Sequence, residues 1–215
     1  MKLLLTSAGV NVGRGEILKI LPRPANQLKL AHVITASKPE LKKEYAERDK
    51  QRMIDLGFEV EDVDIKGKNK TELRRIFADK DVICVQGGNT FYLLKAVKES
   101  GFDTVVKECV DAGKIYIGVS AGSYIACPTI EQAIWKDPHI NRFGFIDFAA
   151  LNFIPFLIYA HFTENDRELI EKVVKTTKYP AVALSDTQAV LVVDGKWKVV
   201  GNGRKEFFNG FKETL

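Results

Sequence analysis

Ile115-Tyr116-Ile117-Gly118-Val119-Ser120-Ala121-Gly122 decides how this chain is read. Its opening residues form the continuous apolar run of a strand covered on both faces, as in a parallel sheet. The last five match G-x-S-x-G, a pattern in which a serine sits on a sharp strand-to-helix turn and side chains at the flanking glycines would clash. The small, helix-compatible residues 121–126 follow. Such a turn pushes the Ser120 hydroxyl out of the sheet, near the N–H groups of a helix start that lack intrahelical partners. Ser120 is therefore a candidate nucleophile. The plainer alternative is a tight turn whose serine merely caps the helix.

Outward from this junction the same alternation recurs. Strand-like runs are expected at residues 2–6, 30–36, 58–65, 82–86, 115–119, 153–161 and 181–185, with polar helical stretches between them. Ser37-Lys38-Pro39-Glu40 reads as a capping box opening a helix that runs to about Leu56 and is closed by Gly57. Thr163-Glu164-Asn165-Asp166 reads as a second cap, opening a helix to about Thr176. Alternating strands and helices imply an α/β fold: one domain over residues 1–215 on a doubly wound, mostly parallel sheet with right-handed crossovers. Toward the C-terminus, runs at residues 188–193, 196–201 and 204–208 are joined by Asp194-Gly195 and Gly201-Asn202-Gly203. They are expected as antiparallel hairpins closing one edge of the sheet. Ligands of such sheets bind beyond the carboxyl ends of the strands, so those junctions are where chemistry is sought.

Composition narrows the function classes. With 215 residues, 46% hydrophobic and 28% charged, the chain can bury one sizeable core and is not a disordered sequence. No apolar run approaches the roughly 20 residues of a membrane-spanning helix. Met1-Lys2-Leu3-Leu4-Leu5 breaks at Thr6-Ser7, short of a leader's apolar region of about 7–15 residues, and reads as a first strand. The 32 Lys and Arg against 28 Asp and Glu leave a net charge of +4, mostly interspersed, so neither nucleic acid nor membrane is an expected partner. The one basic cluster, Lys66, Lys68, Lys70, Arg74 and Arg75, reads as a solvated face around a loop and helix start. Cys84, Cys109 and Cys127 form no Cys-x-x-Cys pair, which argues against a disulfide framework or a zinc site and for a reducing cytoplasm.

A second junction, Gln86-Gly87-Gly88-Asn89-Thr90, again follows an apolar strand and precedes a helix expected from Phe91 to about Ser100. Paired glycines let the backbone approach a ligand and offer the inward N–H that a tetrahedral oxyanion needs; an ordinary turn capped by Asn89 or Thr90 is the alternative. Of the three histidines, His32 lies within a strand and His139 in a turn, while His161 ends an apolar run just before a helix cap. By elimination His161 is the candidate base, and its protonation below neutrality should lower activity. Asp186, directly after residues 181–185, is the first candidate for the orienting carboxylate, with Glu131, Asp137 and Asp147 behind it. Gly9, Gly13 and Gly15 begin a dinucleotide fingerprint that lacks its last glycine, and Thr35-Ala36-Ser37-Lys38 stands where the ribose-binding acid belongs, so no nucleotide cofactor is expected.

Gly87-Gly88-Asn89-Thr90-Phe91, Tyr116-Ile117-Gly118-Val119-Ser120-Ala121-Gly122, Ala126-Cys127-Pro128-Thr129-Ile130 and His161-Phe162-Thr163 together resemble the alpha-aspartyl dipeptidase (peptidase E) family. That family is related to cyanophycinases and, more distantly, to class I glutamine amidotransferases. The resemblance spans nearly the whole chain. It implies a three-layer α/β/α fold and a serine peptidase cleaving short peptides after the N-terminal residue, with Asp-X among its expected substrates. It implies Ser120 as nucleophile, His161 as base and an acid near Asp186, with an oxyanion hole of the Gly88 and Ala121 N–H groups. Gly87, Asn89 and Arg167 are expected to contact substrate, with Arg142 or Lys136 as further partners for an acidic group; no metal or other cofactor is expected. The family's third catalytic residue is a glutamate in its best-known form, so the shorter Asp186 requires a small backbone adjustment or another acid. The Asn-Pro before the family's histidine is Tyr159-Ala160 here, and the segment after His161-Phe162-Thr163 is shorter, which bears on the preference for an N-terminal aspartate. The expected assembly is a monomer or homodimer. A cyanophycin-type isopeptidase, a small esterase and a non-catalytic binding protein on the same fold stand as alternatives.

Overall fold

A computed structural model describes residues 1–12, 14–41, 43–137, 141 and 144–215. Gly13, His139 and Arg142 lie outside these residues. Five strands, β1 (Lys2–Thr6), β2 (Lys29–Val33), β3 (Glu59–Val63), β4 (Val82–Val85) and β5 (Ile115–Val119), form a parallel sheet in the order β3-β2-β4-β5-β1. Beside β1, the strands β8 (Gln188–Val193) and β9 (Lys196–Gly201) complete seven strands as an antiparallel hairpin.

Successive side chains of a strand point to opposite faces, and along β1, β2, β4 and β5 both faces are buried, while the acidic edge strand β3 is largely exposed. Leu3, Leu5, Val33, Val85 and Tyr116 enter one core, which also takes α3 (Lys70–Phe77), α4 (Thr90–Ser100) and α5 (Phe102–Asp111). Leu4, Leu30, Cys84 and Ile117 enter the other, covered by α1 (Arg14–Ile20) and α2 (Glu44–Asp55). The result is the expected three-layer α/β architecture.

Two expectations are corrected. The runs at 153–161, 181–185 and 204–208 do not join the main sheet. They contract to β6 (Leu157–Tyr159), β7 (Ala181–Ala183) and β10 (Glu206–Phe208), a separate three-stranded sheet in the order β10-β7-β6. The reason is competition for an edge. β8 occupies the open side of β1 over five residue pairs, from Lys2 opposite Val193 to Thr6 opposite Ala189, so β6 and β7 pair with each other. Gly201 and Gly203, at φ 99° and 112°, then turn the chain toward β7.

The helix expected to open at Ser37 begins instead at Glu44, after a 3-10 turn over Thr35–Ser37. The buried Ser37 hydroxyl donates to the Ile34 carbonyl at 2.8 Å rather than capping a helix. The Ala36 carbonyl is likewise committed, accepting from Asn89 N at 2.9 Å. The other end is as expected, with Gly57 at φ 105° donating to Ile54 O at 2.8 Å. Thr163 and Asp166 form the expected capping box ahead of α7 (Arg167–Val173), and a 3-10 turn continues to Thr176.

Candidate active site

Four carboxyl-end junctions, after β1, β4, β5 and β7, meet the segment following β6. Ser120 leaves β5 at φ 47° and ψ −103°, a backbone conformation that a side-chain-bearing residue adopts only when its surroundings impose it. They do so here. Ser120 N donates to Thr6 O at 3.0 Å, and Ser120 O accepts from Ser123 N and Tyr124 N, both at 2.9 Å. Gly118 and Gly122 permit the turn, since a Cβ at either would meet the other's backbone or Val85 O. The elbow thus presents the hydroxyl at the start of α6 (Ala121–Tyr124).

His161 follows β6, also at positive φ, 60°. Its Nε2 lies 3.0 Å from Ser120 Oγ, and its Nδ1 lies 2.6 Å from Asp186 Oδ1. With Nδ1 donating to the carboxylate, Nε2 is left as the acceptor facing the serine hydroxyl. Of the candidate acids Asp186 is the one against the imidazole, despite its short side chain. Asp147, by contrast, pairs with Lys98 at 2.7 Å. The histidine and aspartate side chains are 51% and 62% exposed, so this relay opens directly to solvent and to ligands. His32, read as a packed strand histidine, is buried in β2 with Nδ1 3.0 Å from Asp62 Oδ1.

Ser7 was not singled out from the sequence. Wholly buried at the end of β1, its Oγ accepts from His161 N at 2.7 Å and lies 3.2 Å from Asp186 Oδ1 and 3.1 Å from Leu184 O. One hydroxyl thus joins the backbone of the histidine to the carboxylate that faces its ring. Its position at a strand's carboxyl end was the available signal.

Opposite the elbow, Gly88 sits at φ 134°, where a Cβ would collide with Ala36 O. A Cβ on Gly87 would come within 3.3 Å of Ser120 Cβ, so the two junctions are in close approach. Among the described residues the N–H groups of Gly88 and Ala121 donate to no protein acceptor. Asn89 lines the same cavity, and its Oδ1 caps α4 by accepting from Tyr92 N at 2.9 Å.

The cavity around Ser120 has a volume of about 960 Å³. Besides the two junctions, one face of α2 lines it through Tyr45, Arg48, Asp49 and Arg52. Helical periodicity puts those four side chains on one stripe, a signal the sequence already carried, since the helix expected to run to about Leu56 contains all four. Asp49 is 2% exposed; its Oδ1 accepts from Arg52 Nη1 at 2.9 Å and from Val10 N at 3.3 Å. Burial, with the nearby Glu40 carboxylate, pushes the Tyr45 hydroxyl up to about 12, so it remains a donor at neutral pH.

The sequence profile of peptidase family S51 matches residues 3–200. This chain belongs to peptidase family S51. An uncharacterised peptidase of Pasteurella multocida is 30% identical over 179 residues, covering 82% of this chain and 86% of its own. Peptidase E of Salmonella arizonae is 30% identical over 222 residues, covering 95% and 88%. A crystal structure assigned to peptidase E from Listeria monocytogenes superposes with a TM-score of 0.82 at 28% identity, covering 94% of this chain and 98% of that one. The chain is thus similar to peptidases along almost its full length.

Within this S51 chain, Arg167 stands apart from the site for which it was expected. It is not among the cavity-lining residues. Its guanidinium grips Glu206 with Nη1 at 3.1 Å and Nη2 at 2.8 Å, and Glu164 through Nε at 2.8 Å. The physical reason is that β10 brings the nearly buried Glu206 under α7, where a carboxylate needs a partner. Lys136 is similarly taken by the buried Asp166, at 2.7 Å. Among the described residues, the guanidiniums on the cavity wall are those of Arg48 and Arg52. Among the described residues no group of three His, Cys, Asp or Glu side chains could hold a metal ion, and no helix is long and apolar enough to cross a membrane. All three cysteines are free and buried; burial pushes the Cys127 thiol up to about 12, which keeps it from acting as a thiolate.

Proposed function

We propose that this S51 peptidase is a serine dipeptidase that hydrolyses short peptides after their N-terminal residue. The observation that carries the proposal is the unbroken relay from Ser120 Oγ to His161 Nε2, 3.0 Å, and from His161 Nδ1 to Asp186 Oδ1, 2.6 Å, opening into one cavity. In this mechanism Ser120 Oγ bonds to the peptide carbonyl carbon while its proton passes to His161 Nε2. The Gly88 and Ala121 N–H groups receive the oxyanion. His161 then returns the proton to the leaving amine as the C–N bond breaks, and Asp186 stabilises the imidazolium between the two transfers. Water, deprotonated by the same imidazole, attacks the acyl-enzyme, and the released carboxylate leaves Ser120 as it began.

The exposed Arg48 on the cavity wall supports substrates that carry an acidic group, either an N-terminal aspartate side chain or the C-terminal carboxylate of a dipeptide; Arg52 beside it is already paired with Asp49. Three buried, unpaired cysteines support a cytoplasmic setting, where the enzyme acts on small peptides as a monomer or homodimer. The test is a panel of Asp-X, X-X and β-aspartyl dipeptides beside p-nitrophenyl esters, run with the parent protein and Ser120→Ala. Asp-X or X-X hydrolysis that falls by about 10⁶ in the variant is expected. Turnover unchanged by the substitution refutes the nucleophile, and cleavage confined to β-aspartyl peptides or esters refutes the dipeptidase.

A further inference from the structure

Gly88 lines the cavity, and the polar groups on either side of its N–H are held by hydrogen bonds. Gly87 N donates to Gln86 Oε1 at 3.0 Å, Gly87 O accepts from Tyr45 Oη at 3.4 Å, and Asn89 N donates to Ala36 O at 2.9 Å. The peptide joining Gly87 to Gly88 is trans, so the Gly88 N–H points opposite to the Gly87 carbonyl that contacts Tyr45. Gln86 is wholly buried and does not line the cavity. Its amide is used at both ends, because Nε2 donates to Asp49 Oδ2 at 3.0 Å. Asp49 is anchored in turn by Arg52 and by Val10 N of the loop after β1. A buried amide satisfied by a buried carboxylate is stiff, since releasing either leaves a polar group without water or partner.

We propose that Gln86 is a positioning residue for the oxyanion hole: clamped by Asp49 of α2, its side chain holds the Gly87–Gly88 loop so that the Gly88 N–H meets the oxyanion without itself being consumed. The inference rests on the serine-peptidase mechanism above and assigns to Gln86 no contact with substrate. A donor aimed at developing charge acts on the transition state and hardly on the bound substrate. Loss of the clamp therefore lowers kcat and spares KM.

The experiment compares Gln86→Met, which removes both polar ends, with Gln86→Glu, which keeps an acceptor for Gly87 N and, its carboxyl held protonated by burial beside the Asp49 carboxylate, a donor to Asp49 Oδ2. Readouts are kcat and KM on a cleaved dipeptide, the melting temperature, and affinity for an α-aminoboronic acid. The boron of that probe accepts Ser120 Oγ while the serine proton passes to His161, giving a tetrahedral borate with an oxygen in the oxyanion position. Gln86→Met is expected to lower kcat by tenfold to about 100-fold, short of the 10²–10³ that deleting a donor outright costs, with KM within about twofold. Aminoboronate affinity should fall by the same factor as kcat, and Gln86→Glu should recover part of both. If Gln86→Met does not fold, Gln86→Glu decides alone, by a parallel fall in kcat and aminoboronate affinity. Full kcat in a folded variant, or a lowered kcat with aminoboronate affinity intact, overturns the positioning role. A parent protein that neither cleaves peptides nor binds the aminoboronate overturns the serine-peptidase mechanism itself, and the two failures are thereby told apart.

Discussion

Ser7→Ala removes one oxygen that the structure uses three ways. The His161 N–H, 2.7 Å from that oxygen, is left without an acceptor in a part-buried setting, and Asp186 Oδ1 loses a contact at 3.2 Å. An unsatisfied buried N–H costs about 1–3 kcal/mol, so a stability loss of about 2 kcal/mol is expected. For a chain of this length that corresponds to a melting temperature lower by about 4–8 °C. The catalytic consequence comes from the backbone. His161 is held at φ 60°, and positive φ in a residue with a side chain stores about 1–3 kcal/mol. The Ser7 bond is one of the ties that oppose its release, the neighbouring Phe162 N to Leu184 O bond at 3.0 Å being another. Relaxation toward negative φ swings the ring away from Ser120. If about 2 kcal/mol of bias toward the competent geometry is lost, kcat falls about 30-fold. The assay pairs thermal melting with steady-state kinetics and with the rate of Ser120 labelling by a fluorophosphonate. A variant that melts several degrees lower yet keeps full kcat and labelling rate refutes the reasoning, because the hydroxyl would then serve stability alone.

Gly88→Ala places a Cβ against Ala36 O at a φ of 134°, so the loop must shift; activity should fall by at least about 100-fold in a protein that still folds, checked by circular dichroism and turnover. Arg167→Met should leave KM unchanged and lower the midpoint of urea unfolding, since among the described residues Glu206 then keeps only Arg204 at 3.1 Å; a raised KM with unaltered stability would return Arg167 to the substrate site. Asp62 is held at about 2 by its hydrogen bond to His32 and then by that to Lys50. A depressed carboxyl contributes stability that is present above about pH 4 and is lost as pH falls toward 2. Asp62→Asn should remove about 1 kcal/mol at neutral pH, after allowance for solvent screening, and flatten acid unfolding across that window; parallel acid-unfolding curves for the two proteins would contradict this.

The residues that meet in the candidate site were legible because they obey local rules. A buried strand followed by Gly-x-Ser-x-Gly can turn in few ways, and a histidine and an aspartate at strand ends fall on the same edge of the sheet as that turn. The parallel strands themselves were legible from apolar runs such as Val82-Ile83-Cys84-Val85, since burial on both faces excludes polar residues from them. Local rules failed where two segments compete for one partner. Ser37 carries a cap's sequence, yet its hydroxyl turns back to Ile34. Arg167 follows the histidine segment closely enough to suggest a substrate contact, yet Glu206, distant in sequence, takes it.

The sequence alone determined an α/β chain with a serine elbow, a glycine-rich second junction and a histidine and aspartate at strand ends, because periodicity and turn chemistry act over a few residues. Only the tertiary structure decided that β6, β7 and β10 form their own sheet, that Ser7 ties the histidine to its carboxylate, and that α2 lines the cavity and braces the glycine loop. These outcomes depend on which of several distant segments wins a given edge or buried hydrogen bond. That contest is settled by packing the whole chain at once, and no single stretch of it carries the answer.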